Sequence, residues 1–92
     1  MKINFYATLR EIVGGRTVEI EHQEGMNVQA LLELLFQRYP GLRRELMDEA
    51  GNLYPHVHVF INGRDAPYLE QGLATTLSSE DVVNIFPAVG GG

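Results

Sequence analysis

The sequence predicts an α+β domain, a mixed sheet packed on one main helix, and three observations carry that prediction. Two runs of apolar and polar alternation open the chain, a single helical stripe follows, and alternation returns in the second half. At 92 residues the chain has the length of one compact domain with one core.

From Lys2 to Leu9, Ile3, Phe5, Ala7 and Leu9 fall on one face and Asn4, Tyr6 and Thr8 on the other, as in a half-buried strand. Gly14-Gly15 supplies positive φ for a turn, and Thr17 to Glu21 alternates again, so the two runs read as a hairpin with Val18 and Ile20 inward. Asn27 is placed to cap a helix whose stripe is Val28, Leu31, Leu32, Leu35 and Tyr39, and Pro40-Gly41 ends it. Leu42 to Met47 adds a short helical turn, followed by a polar loop from Asp48 to Asn52. His56 to Ile61 reads as a third strand, and Asn62-Gly63 as a tight turn into a second hairpin. Pro67 to Thr76 reads as short strand and turn pieces, and Val82 to Phe86 as the final strand, ended by Pro87. One helix then covers one sheet face, because no second helix of comparable length exists to cover the other. The domain is expected over residues 1–87 and a flexible tail over 88–92.

Composition narrows the function. A formal net charge of -5 repels phosphate backbones and anionic lipid, so neither nucleic acid nor a membrane is the expected partner. No apolar run approaches the length of a membrane span, and no signal peptide opens the chain, so the cytoplasm is the expected location. The absence of cysteine excludes disulfides and a thiol nucleophile within the chain. A domain this small has little volume for an enclosed active site, so function is expected on the surface.

The terminus Ala88-Val89-Gly90-Gly91-Gly92 carries the chemistry. Its glycines lack Cβ atoms, so the segment is thin, and five extended residues reach roughly 17 Å, enough to enter another protein's active site. A free carboxylate does not react with nucleophiles, so use of this terminus implies activation by a partner, with ATP as the driver. A glycine-rich end alone is a common flexible terminus. Its combination with the strand-strand-helix-strand order gives it a functional reading.

The opening Ile3-Asn4-Phe5-Tyr6-Ala7-Thr8-Leu9-Arg10-Glu11, the turn at Gly14-Gly15, and above all Asp81 through Gly92 resemble the ubiquitin-like sulfur carriers of the MoaD/ThiS family, across essentially the whole chain. That resemblance implies a β-grasp fold and no catalytic residue or bound cofactor of its own. It also implies a Gly91-Gly92 pair whose last carboxylate is adenylated by an E1-like enzyme using ATP, then converted to a thiocarboxylate with sulfur from a donor enzyme. The sulfur passes to a synthase large subunit or another acceptor, in molybdenum cofactor, cysteine or related biosynthesis. In the alternative reading, Gly92 is joined to lysines and the chain is a protein modifier. A third reading is an interaction module with an irrelevant tail. Two departures stand out: Gly90 where relatives often carry a bulkier residue, and Glu80-Asp81 where the family often has Gly-Asp.

The alternation sets Val57, Val59 and Ile61 toward the helix and His58 and Phe60 away from it, on the side of Tyr6 and Phe86. Tyr6, His58, Phe60 and Phe86 are therefore the expected partner-docking patch, near which the resemblance places the activating enzyme and synthase. His56 and His58 are expected on one strand face, but without a third ligand they read as surface histidines, and no metal is expected.

Overall fold

The structure, a computed structural model, describes residues 1–88. The tail residues Val89, Gly90, Gly91 and Gly92 lie outside the described residues.

Five strands form one mixed sheet: β1 (Lys2–Phe5), β2 (Thr17–Glu19), β3 (His58–Ile61), β4 (Arg64–Asp65) and β5 (Val82–Phe86), in the order β2-β1-β5-β3-β4. Among the described residues the only parallel pair joins β1 to β5, with Phe5 opposite Ile85. The neighbours β1/β2, β3/β5 and β3/β4 run antiparallel. The main helix α2 (Val28–Arg38) begins as expected, with the Asn27 side chain accepting from the Ala30 amide at 2.8 Å. It buries Val28, Leu31, Leu32, Leu35 and Phe36 in one cluster with Ile3, Phe5, Val18, Val59, Ile61, Val83 and Ile85 from the sheet. This is the expected inner face except at the helix end, where Phe36 is buried and Tyr39, expected in the stripe, is the half-buried C-cap. The Asn62-Gly63 turn has both residues at positive φ, +52° and +86°, which matches the right-handed twist of the strands it joins. Residues 66–68 and 72–74 are 3₁₀ turns.

Three expectations are corrected. The first strand ends at Phe5, not Leu9, because Ala7 turns the chain at φ +54°. Leu9 is buried as the first residue of a short helix, α1 (Leu9–Val13), and Ala7 is exposed. Leu9, Ile12 and Val13 have the three-to-four spacing of a helix, which overlapped the strand alternation at Leu9. What reads as a hairpin is therefore strand, helix, strand, with Gly14 closing α1 at φ +78°. Finally, His56 is not on β3: a turn in which the Val57 amide donates to the Tyr54 carbonyl at 3.2 Å sets it at φ +73°, exposed, ahead of the strand.

A second short helix, α3 (Gly41–Leu46), follows α2. Among the described residues no helix is long and apolar enough to cross a membrane, and no cluster of three metal-ligating side chains occurs.

Candidate functional site

With the helices on one side, the sheet's other face carries the side chains that alternation turned outward. From β1 and its exit come Lys2, Asn4 and Tyr6, from β5 Asn84 and Phe86, and from β3 His58 and Phe60. The parallel β1/β5 register and the antiparallel β3/β5 register put Phe86 opposite His58 and beside Tyr6. The rings of Tyr6 and Phe86 stack at 4.0 Å with 8° between planes, while Phe60 meets Phe86 edge-on at 5.7 Å and His58 stacks on Phe60 at 5.4 Å. All four expected patch residues are thus brought into one continuous aromatic cluster. Each remains only half-buried, so apolar ring surface faces solvent.

Polar groups frame the rings. The Tyr6 hydroxyl donates to Asn84 Oδ1 at 2.8 Å, Asn4 Nδ2 donates to the same oxygen at 3.1 Å, and Thr17 Oγ1 donates to Asn4 Oδ1 at 2.8 Å. Arg10 Nε donates to the Phe5 carbonyl at 2.9 Å, and its guanidinium lies 5.3 Å from the Tyr6 ring centre, within range of a cation–π contact. Asp65 bonds His58 Nδ1 at 2.7 Å and accepts the Val59 amide at 3.2 Å, fixing the imidazole on the rim. Sequence reasoning missed Asn4, Asn84 and Arg10 as site residues. Alternation already set Asn4 and Asn84 on the outer face, whereas Arg10 lies beyond the alternating run, on a helix that the hairpin reading does not foresee.

At the far end of β5 the Asn62 side chain donates to Asp81 at 2.8 Å and accepts the Val82 amide at 2.9 Å. Asp81 also accepts from the Ser78 amide at 2.8 Å and the Ser78 hydroxyl at 3.0 Å. This turn forms without a positive φ at Glu80. Burial pushes the Asp81 carboxyl up, but the Ser78 amide, the Asn62 side chain, the Ser78 hydroxyl and the nearby His22 together outweigh it and hold it below the usual carboxylate range.

The aromatic cluster sits at the C-terminal end of β5. Pro87 follows buried and Ala88 exposed, with Val89, Gly90, Gly91 and Gly92 next in the sequence.

The model of the ThiS family matches residues 3–92. The chain is 37% identical over 92 residues to small archaeal modifier protein 3 of Haloferax volcanii, covering 100% of this chain and 98% of that protein. It is 36% identical over 70 residues to the sulfur carrier protein CysO of Mycobacterium tuberculosis, 74% of each chain. Among solved structures, a chain of the BexX/CysO complex of Amycolatopsis orientalis superposes with a TM-score of 0.79 at 27% identity, covering 99% of this chain and 98% of that one.

Proposed function

The chain belongs to the ThiS family, whose members it matches are ubiquitin-like carriers and modifiers, and on that premise we propose that it is a sulfur carrier worked through Gly92. A partner adenylating enzyme spends ATP on the Gly92 carboxylate: the carboxylate oxygen attacks the α-phosphorus, pyrophosphate leaves, and the acyl-adenylate then exchanges AMP for sulfur from a donor enzyme. The resulting thiocarboxylate passes its sulfur to a synthase subunit or another biosynthetic acceptor in the cytoplasm. The chain itself supplies no catalytic residue and no resident cofactor. Its contribution is a face that positions the tail in a partner.

The observation that carries this reading is the aromatic cluster of Tyr6, His58, Phe60 and Phe86 at the end of β5, two residues before Ala88 leads into Val89, Gly90, Gly91 and Gly92. A partner docked on these rings holds the strand that leads to the carboxylate. The solved BexX/CysO complex supports docking of such carriers to other proteins. Deleting Gly91 and Gly92 is expected to abolish ATP–pyrophosphate exchange by the activating enzyme and leave the circular dichroism spectrum unchanged. Exchange at the rate of the intact chain would overturn the proposal. Protein isolated from its host should show the mass gain of one oxygen replaced by sulfur.

The similarity to a small archaeal modifier protein over the full length favours one second reading, in which activated Gly92 forms an isopeptide bond with a lysine. Conjugates of higher mass in the same measurement distinguish it.

A further inference from the structure

We propose that the aromatic face receives a carboxylate-bearing apolar segment of its partner, gripped by the Arg10 guanidinium at the rim and the Asn84 amide on the floor. This deepens the docking reading above and rests on it.

The net charge of -5 suggests a basic partner, but the groups around the rings are disposed the other way. The carboxylate beside the rings is already engaged: Asp65 uses its oxygens on His58 and the Val59 amide. At the far end of β5, Asp81 is engaged by Ser78 and Asn62. The cation is not. Arg10 uses Nε on the Phe5 carbonyl, and among the described residues no carboxylate pairs with its two terminal nitrogens. The guanidinium lies over the Tyr6 ring, 5.3 Å from its centre, and this contact and the Nε bond restrict the orientation of the fork.

The floor also presents a donor. The Tyr6–Asn84 separation of 2.8 Å is that of an O–H···O bond, so Asn84 presents its oxygen to Tyr6 and to Asn4. Asn4 is oriented in turn by Thr17. The Asn84 NH₂ has no hydrogen-bond partner among the described residues, and Asn84 lines a hollow with Tyr6, Phe60, Gly63 and Phe86.

A face of aromatic walls with donors at its rim and floor fits a segment that supplies apolar surface and acceptors. An Asp or Glu on the segment meets the Arg10 fork in a charge-assisted, bidentate pair, and a neighbouring carbonyl meets Asn84. Because Arg10 and Asn84 are held before the partner arrives, little ordering is left for binding to accomplish. A basic segment at the same place meets Arg10 as a like charge.

The test is titration of the full-length chain against the adenylating enzyme of its own host, at low and at high salt. Arg10→Gln should weaken binding about tenfold at low salt and flatten the salt dependence, and Arg10→Glu should weaken it further. Asn84→Ala should cost several-fold. Tyr6→Phe keeps the stacked ring but frees the Asn84 amide, and it too should cost several-fold, which a purely packing role for Tyr6 does not predict. Glu21→Gln, remote and exposed, serves as the unchanged control. Thermal melts establish that each variant folds. If Arg10→Gln does not, Arg10→Lys keeps a cation without the fork and should still bind more weakly than wild type. Phe86→Asp separates the two readings. If it weakens binding while the Arg10, Asn84 and Tyr6 variants bind like wild type, the carboxylate-bearing segment is overturned and the docking face stands. If Phe86→Asp itself binds like wild type, both fall. Tighter binding by Arg10→Glu overturns the proposal in favour of a basic partner.

Discussion

Asp81 accepts hydrogen bonds from the Ser78 amide and hydroxyl and from the Asn62 side chain, and in doing so ties the start of β5 to the β3/β4 turn. Its carboxyl is held below the ordinary value, so the ionised form is the one the folded state favours. The stability this contributes is fully present above the unfolded carboxylate pKa of about 3.9 and is lost as pH falls through the lower folded-state value. Asp81→Asn should therefore be less stable than wild type at neutral pH, with the gap narrowing in acid; urea midpoints measured at pH 7 and across the acid limb check this. A constant gap at every pH would mean that geometry, not charge, is what Asp81 supplies. Ala7 is a second single-residue device. Its φ of +54° costs an L-residue on the order of 1 kcal/mol, and it is where the chain leaves β1, just after the Tyr6 ring that stacks on Phe86.

α2 owes its start to Asn27, whose side chain satisfies the Ala30 amide, while the backbone around it is pinned to the 75–77 segment by Val28 N donating to Thr75 O and Leu77 N donating to Met26 O. Asn27→Ala should destabilise the fold by about 1 kcal/mol, a fall in Tm of roughly 4–8 °C, with Asn27→Ser or Asp close to wild type. Calorimetric melts of the three variants decide it, and equal losses in all three would assign the effect to the backbone bridge instead. The cap, the α2 stripe and β5 were legible in the sequence because each has one dominant local signal: a capping residue, a 3.6-residue period, a 2-residue period. The region from Tyr6 to Val13 was not, since Leu9 satisfies both periods and nothing local says that Ala7 takes a left-handed conformation. His56 failed for a similar reason, its alternation with His58 being broken by the Tyr54–Val57 turn. The aromatic members of the site were readable from alternation alone. The Asn4–Asn84–Tyr6 relay was not, because it joins residues about 80 positions apart and exists only once β1 lies parallel to β5.

Lys2 is the only lysine among the 92 residues and lies exposed on the outer face of the sheet, opposite Val82 on β5. Phe86 is four residues further along that strand, about 13 Å away at about 3.3 Å per residue. A partner burying about 800 Å² on this side covers a disc of about 16 Å radius, so one centred on Phe86 reaches Lys2 at its rim. With the partner docked as proposed, docking and acylation of Lys2 compete for the same face. The other primary amine, at Met1, donates to the Ile20 carbonyl at 3.0 Å and lies 3.4 Å from the Glu19 carboxylate, contacts that acylation would disturb. If activated Gly92 of one copy is attacked by another, the new N–C bond, formed as AMP leaves, should therefore be at Lys2 of an undocked copy. Incubation with activating enzyme and ATP should give few linked dimers, fewer still with excess enzyme, and almost none with Lys2→Arg, while adenylation is unchanged. Tryptic mapping of the dimers identifies the linkage. Dimers that persist in Lys2→Arg and map to the Met1 amine would show that the Ile20 and Glu19 contacts do not protect it. Dimers that increase with excess enzyme would show that the docked partner leaves Lys2 open.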